Sequence, residues 1–203
     1  MIFDRLLGRR RRNGTPRAIY DAIVAQARQP ELYTDLGVPD TLEGRFEMVV
    51  LHTLLVLRRL RREEGPSSPL GEDLCAVMFS DFDHNLREIG VSDLSVGKKV
   101  RKLAEAFYGR GKALDDAFTA ADTRAAMSAL LARNLIVENA PVGNSFAHLA
   151  DYIIATDRAL DMMSMDELMA ARLAFIQPSR RGGTLRPRSV SREQDAAQGT
   201  ANG

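Results

Sequence analysis

The sequence predicts an all-α protein, a single-domain helical bundle of about seven helices. Three observations predict it. Apolar residues recur every three or four positions in segment after segment. No run alternates apolar and polar residues as a strand would. Gly, Pro and Ser clusters punctuate the chain at helical intervals. The boundaries divide 203 residues into a basic amphipathic segment (1–14), the helical domain (15–177) and a disordered basic C-terminal tail (178–203).

Thr15-Pro16 is a good helix start, and Ile19, Tyr20, Ile23, Val24 and Ala27 give that helix one apolar face until Pro30 ends it. Glu31–Pro39 connects, with room for one helical turn at Leu32–Leu36. Thr41 opens a long helix to about Glu64, in which Phe46, Val49, Val50, Leu54, Leu57 and Leu60 form a core stripe. Apolar residues fill its other faces from Met48 to Leu57, which places it centrally. Gly65–Pro69 breaks the chain. From about Gly71 a helix with Leu74, Val77 and Met78 leads into Phe79, Phe82, Leu86 and Ile89, and Gly90 stops it.

Ser92 or Asp93 caps the next helix, with Val96, Val100, Leu103 and Phe107 inward and Lys98, Lys99, Arg101 and Lys102 opposite. Gly109 and Gly111 loosen its end before Leu114 and Phe118. Ala121–Val137 presents Met127, Leu130, Leu131 and Leu135. After Pro141 and Gly143, Asn144 or Ser145 caps a helix striped by Phe146, Leu149, Ile153 and Leu160. Ser164 and Glu167 have capping-box spacing for a last helix, Met165–Phe175.

The net charge of +1 hides a segregation. Residues 1–17 hold six arginines against Asp4, and residues 178–203 hold five against Glu193 and Asp195, so the stretch between carries −7. Basic tails of this kind serve solubility, or contact with anionic lipid or RNA. Met1, Ile2, Phe3, Leu6 and Leu7 beside Arg9–Arg12 read as a weak amphipathic anchor with a polybasic patch, not a secretory signal. The most apolar run, Met48–Leu57, is about half the ~20 residues a bilayer requires. The single cysteine, Cys75, excludes an intrachain disulfide, fits a reducing compartment and reads as a small apolar residue.

The chemistry motifs are weak. Asp81-Phe82-Asp83-His84-Asn85 starts like a calcium loop, but Leu86 stands where glycine is needed and Ser92 where a bidentate glutamate belongs. His52, His84 and His148 fall on different helices without paired-ligand spacing, and His52 reads as a satisfied core histidine. Gly97-Lys98 and Gly111-Lys112 lack the rest of a phosphate loop. The expectation is no catalysis, cofactor, metal or small-molecule substrate.

The least generic stretch is the helical corner with a carboxylate-rich arm (Asp81, Asp83, Glu88) and a lysine-rich arm, read as joined by an ion-pair network. The run DFDHNLREIGVSDLSVGKKVRKLAEAFYGR, Asp81–Arg110, resembles the signature of the ubiquinol–cytochrome c chaperone family, assembly factors of respiratory complex III. The resemblance extends more weakly from about Tyr33 to Phe175, including LHTLLVLRRLR within Leu51–Arg62. It implies a non-enzymatic chaperone whose mitochondrial relatives hold newly made cytochrome b near the ribosomal exit site, with a small partner protein.

On that resemblance the client is cytochrome b or another complex III subunit. The candidate contact residues are Asp81, Asp83, Arg87, Glu88, Lys98, Lys99, Arg101, Lys102, Tyr108 and Arg110. The short N-terminus suggests a bacterial-type member in the cytoplasm, peripheral on the inner membrane, with the tails toward the ribosome exit region or anionic lipid. The alternatives are a ribosome- or RNA-binding helical protein, a peripheral membrane adaptor and, more remotely, an enzyme.

Overall fold

Met48–Leu57, the most apolar run of the chain, sits in the helix around which the others pack. In a computed structural model, residues 2–65, 68–88, 90–135 and 146–179 are described, with side chains from residue 14 onward except at 93 and 94. The elements are α1 (Ile2–Ala27), α2 (Pro30–Thr34), α3 (Leu42–Glu64), α4 (Pro69–Glu88), α5 (Asp93–Thr119), α6 (Thr123–Asn134), α7 (Ala147–Asp161) and α8 (Met165–Met169). The class is all-α; the element beyond the expected seven is the single turn, displaced to Pro30–Thr34 because Pro30 is pre-organised for a first helical position. Asn144, Ser145, Ile89 and the tail from residue 180 lie outside the described residues.

Helix α3 is buried on every face from Val50 to Leu57, including His52 and Thr53, and α1, α4 and α7 pack around it. Each fully buried Leu or Val there contributes about 1.5–3 kcal/mol. Its start is fixed twice. Thr41 Oγ1 accepts the Gly44 amide at 3.1 Å, and any Cβ on Gly44 would stand 2.1 Å from the Pro39 carbonyl oxygen. Only glycine lets the preceding loop fold back this closely.

Helix α6 begins at Thr123, two residues after the expected Ala121, because Asp122 caps it by accepting the Ala125 amide. Four other boundaries depart from the sequence expectations. Helix α1 does not begin at Thr15 but runs through Pro16; Thr15 does not cap, because its hydroxyl donates to the Met169 carbonyl at 3.2 Å. Helix α4 begins at Pro69, not Gly71, since Ser68 Oγ accepts the Gly71 amide at 3.0 Å and proline suits the first helical position. Helix α5 runs unbroken through Gly109 and Gly111 to Thr119. Helix α8 stops at Met169 instead of Phe175. Ala171 takes φ 55, and the amides of Ala171 and Arg172 turn back to the carbonyls of Leu168 and Glu167 at 2.9 and 3.0 Å, a Schellman closure without glycine. The Ser164–Glu167 capping box forms as expected.

A buried polar chain crosses the core. His52 Nδ1 lies 2.7 Å from the Met48 carbonyl and its Nε2 lies 2.6 Å from the Tyr152 hydroxyl. Because a carbonyl only accepts, Nδ1 carries the proton and Tyr152 donates to Nε2. Gln26 Nε2 then donates to the Tyr152 hydroxyl and to the Ile176 carbonyl, both at 2.9 Å. One network thus ties α1, α3, α7 and the segment after α8. Cys75 is half-buried, and burial raises its thiol pKa, in line with a packing role.

Candidate interaction surface

The corner predicted from Asp81–Arg110 forms between α4 and α5. Gly90, at φ 84, closes α4: its amide returns to the Arg87 carbonyl and that of Val91 to Leu86, both at 3.0 Å. Ser92 occupies the cap position of α5 but makes no side-chain bond to the helix backbone; its hydroxyl meets Ser95 Oγ at 3.1 Å.

The seam between the arms is aromatic. Ring centroids step from Phe46 to Phe82 (4.8 Å), Phe82 to Phe79 (6.2 Å), Phe79 to Phe107 (5.6 Å) and Phe107 to Tyr108 (5.8 Å). Three helices are thereby joined, α4 to α5 by the edge contact of Phe79 with Phe107 and α3 to α4 by the tilted pair of Phe46 with Phe82. The series ends at Tyr108, 67% exposed, held against a buried Phe107.

The candidate residues sort into three groups. Asp81 and Arg110 work inside the fold. Asp81 accepts the Tyr20 hydroxyl at 2.9 Å and the Asn85 amide at 3.0 Å, and burial together with that carboxylate pushes the Tyr20 hydroxyl pKa far up. Arg110 Nε reaches Glu47 at 2.7 and 2.9 Å, joining α5 to α3. Burial raises the Glu47 carboxyl while Arg110 opposes the shift.

The second group pairs along its own helix: Asp83 with Arg87 at 2.7 Å, His84 with Glu88 at 3.2 Å, Arg101 with Glu105 at 3.2 Å. Arg87 holds the Asp83 carboxyl below its usual range. Among the described residues, no ion pair joins Asp81, Asp83 or Glu88 to the cations of α5, where the sequence reading expected a network. The i, i+4 partners are nearer, and the lysines stand on the far side of α5 from the seam. Lys98, Lys99 and Lys102 form the third group with Tyr108: exposed, and without an ion pair among the described residues.

The sequence reading missed the role of the arginines that close α3. Arg58 reaches Asp115 of α5 and Asp157 of α7 (3.1 Å), with its guanidinium 4.1 Å from the Phe118 ring. Arg61 also takes Asp115, and Arg62 bridges Asp157 (3.1 Å) and Asp161 (2.8 Å). Asp157 and Asp161 stand four residues apart on one helix face, the signal that could have matched them to a basic run. Among the described residues, no three His, Cys, Asp or Glu side chains gather as metal ligands, and no helix is long and apolar enough to cross a membrane.

A family model described as ubiquinol-cytochrome C chaperone matches residues 34–175, well over half of the chain. The chain belongs to the ubiquinol–cytochrome c chaperone family. Its members are assembly factors of complex III. The crystal structure of a Cbp3 homolog from Brucella abortus resembles the fold with a TM-score of 0.71 at 33% identity, over 87% of this chain and 97% of that one. The ubiquinol-cytochrome-c reductase complex assembly factor 1 of Xenopus laevis is 21% identical over 151 residues, 74% of each chain. The chaperone-family span contains the whole corner and the arginines closing α3. It leaves out α1, which nonetheless packs on α3, α4 and α8 and supplies Tyr20 to Asp81.

Proposed function

We propose that this chain is a non-enzymatic assembly chaperone of ubiquinol–cytochrome c reductase that binds newly made cytochrome b, or an assembly intermediate, on the outer face of the α4–α5 corner. One observation carries the choice of surface. The arginines at the end of α3 are consumed by carboxylates of α5 and α7, whereas Lys98, Lys99 and Lys102 meet solvent on the helix that also presents the exposed ring of Tyr108. An exposed tyrosine held against a buried ring, and cations on the same helix that are unpaired among the described residues, are residue types that can serve a protein interface. The protein would meet its client from the aqueous side, at the cytoplasmic face of the inner membrane.

The test is a deletion strain complemented with the wild-type chain or with Lys98→Glu/Lys99→Glu/Lys102→Glu, reading assembled complex III on native gels and crosslinked partners by mass spectrometry. The expected result is loss of complex III and of crosslinked cytochrome b at unchanged level of the variant protein. Intact complex III in the triple variant would remove the corner from the reading. Recovery of only RNA or ribosomes, with complex III unaffected by the deletion, would replace it by RNA binding.

A further inference from the structure

We propose that the partner of this surface presents a short acidic protein segment, and that the segment seats in the cleft between α5 and α6. The partner's role rests on the chaperone reading; the docking does not. The cleft holds about 260 Å³ and is lined by Ala106, Gly109, Arg110 and Ala113 of α5 with Leu130, Arg133 and Asn134 of α6; the Arg110 charge is already taken by Glu47.

Lys99, Lys102, Ala106, Gly109 and Ala113 succeed one another at intervals of three and four. On an unbroken α5 they share one face, so the lysines stand in line with the cleft. Arg133, exposed in the last turn of α6, adds a third cation from the other wall. None of Lys99, Lys102 or Arg133 has an ion pair among the described residues.

Three cations that are unpaired among the described residues, around a small-residue floor, fit carboxylates on short stems. The volume takes one or two side chains. The residues from 18 to 177 carry −7, so an extended polyanion such as a membrane surface or RNA would be repelled by the body. A short acidic segment reaches the three cations without meeting it.

Gly109 makes the test clean. A Cβ built there meets nothing within 4 Å, so Gly109→Leu fills the cleft, removes no charge and improves helix propensity. Gly97 is equally open but lies on another face of α5, and Gly97→Leu is the control. Fluorescence anisotropy of the full chain with a short labelled glutamate-rich peptide should show binding that weakens at least about tenfold in Gly109→Leu and stays wild-type in Gly97→Leu. Lys99→Glu/Lys102→Glu/Arg133→Glu should abolish it.

Absence of peptide binding to the wild type, wild-type binding by Gly109→Leu, or equal competition by phosphatidylglycerol vesicles would each overturn the cleft. Complex III assembly in the same strains separates the two readings. Weakened peptide binding with normal complex III keeps the cleft and removes the chaperone role from it. Loss of complex III on deletion, with Gly109→Leu silent in both assays, keeps the chaperone and removes the cleft.

Discussion

His52 is neutral because burial outweighs the Met48 carbonyl, which favours the charged ring. It is fully buried, its Nδ1 proton is committed to the Met48 carbonyl, and its Nε2 accepts from Tyr152. Burial lowers its pKa from 6.5 to about 4. The unfolded chain takes up a proton near pH 6.5 while the folded one resists until about 4, so this group's stabilisation is complete above 6.5 and is lost as pH falls through that window. The loss between pH 7.5 and 4.5 is roughly 2–3 kcal/mol. Urea unfolding at the two pH values should show that difference in the wild type and a flatter response in His52→Gln. Parallel responses would mean that the ring does not titrate in this window. The sequence made this residue legible in kind, since a histidine inside an apolar helix reads as a satisfied core group. Its partners were not legible: Tyr152 lies 100 residues away and Gln26 on a helix whose polar face reads as solvated.

At the scale of the element, α5 departs most instructively from its sequence. Two glycines two residues apart read as a loosened helix end, because glycine costs about 1 kcal/mol in a helix interior. Packing overrides that propensity. Gly111 faces α3 where a Cβ would come within 3.2 Å of Leu54 Cδ2, so the glycine sets the approach of the two helices. Gly109 meets open space. Their substitutions should therefore differ in sign. Gly111→Leu places a whole isobutyl group against Leu54 and should cost roughly 1–3 kcal/mol, while Gly109→Ala should gain up to about 1 kcal/mol. Thermal unfolding of the two variants decides it, and equal shifts would place both glycines on the same kind of surface. Gly90 was legible because its backbone does what glycine does best; Gly111 was not, because a close crossing is a property of two helices and the sequence displays one at a time.

Across the whole molecule, basic residues divide into those that hold the bundle together and those that face outward. Asp157 decides the first class. Its carboxylate is 9% exposed and takes both Arg58 and Arg62, so it joins α7 to the end of α3, and Arg58 passes the connection to α5 through Asp115. Removing it leaves Arg58, 13% exposed, with a desolvated guanidinium and one fewer partner. Asp157→Ala should cost about 3 kcal/mol, whereas Arg101→Ala, which removes an exposed i, i+4 pair, should change stability by about 1 kcal/mol or less. Urea unfolding at low and high salt separates them further, because a buried pair is poorly screened: the Asp157→Ala deficit should persist in high salt and the small Arg101→Ala effect should vanish. A stability within about 0.5 kcal/mol of wild type for Asp157→Ala would show that the arginines find other partners. The same division separates two routes to a complex III defect. Asp157→Ala should lower complex III in proportion to the folded protein that remains. The lysine variants of α5 should lower it with the protein level unchanged, because those cations contribute to recognition and not to the fold.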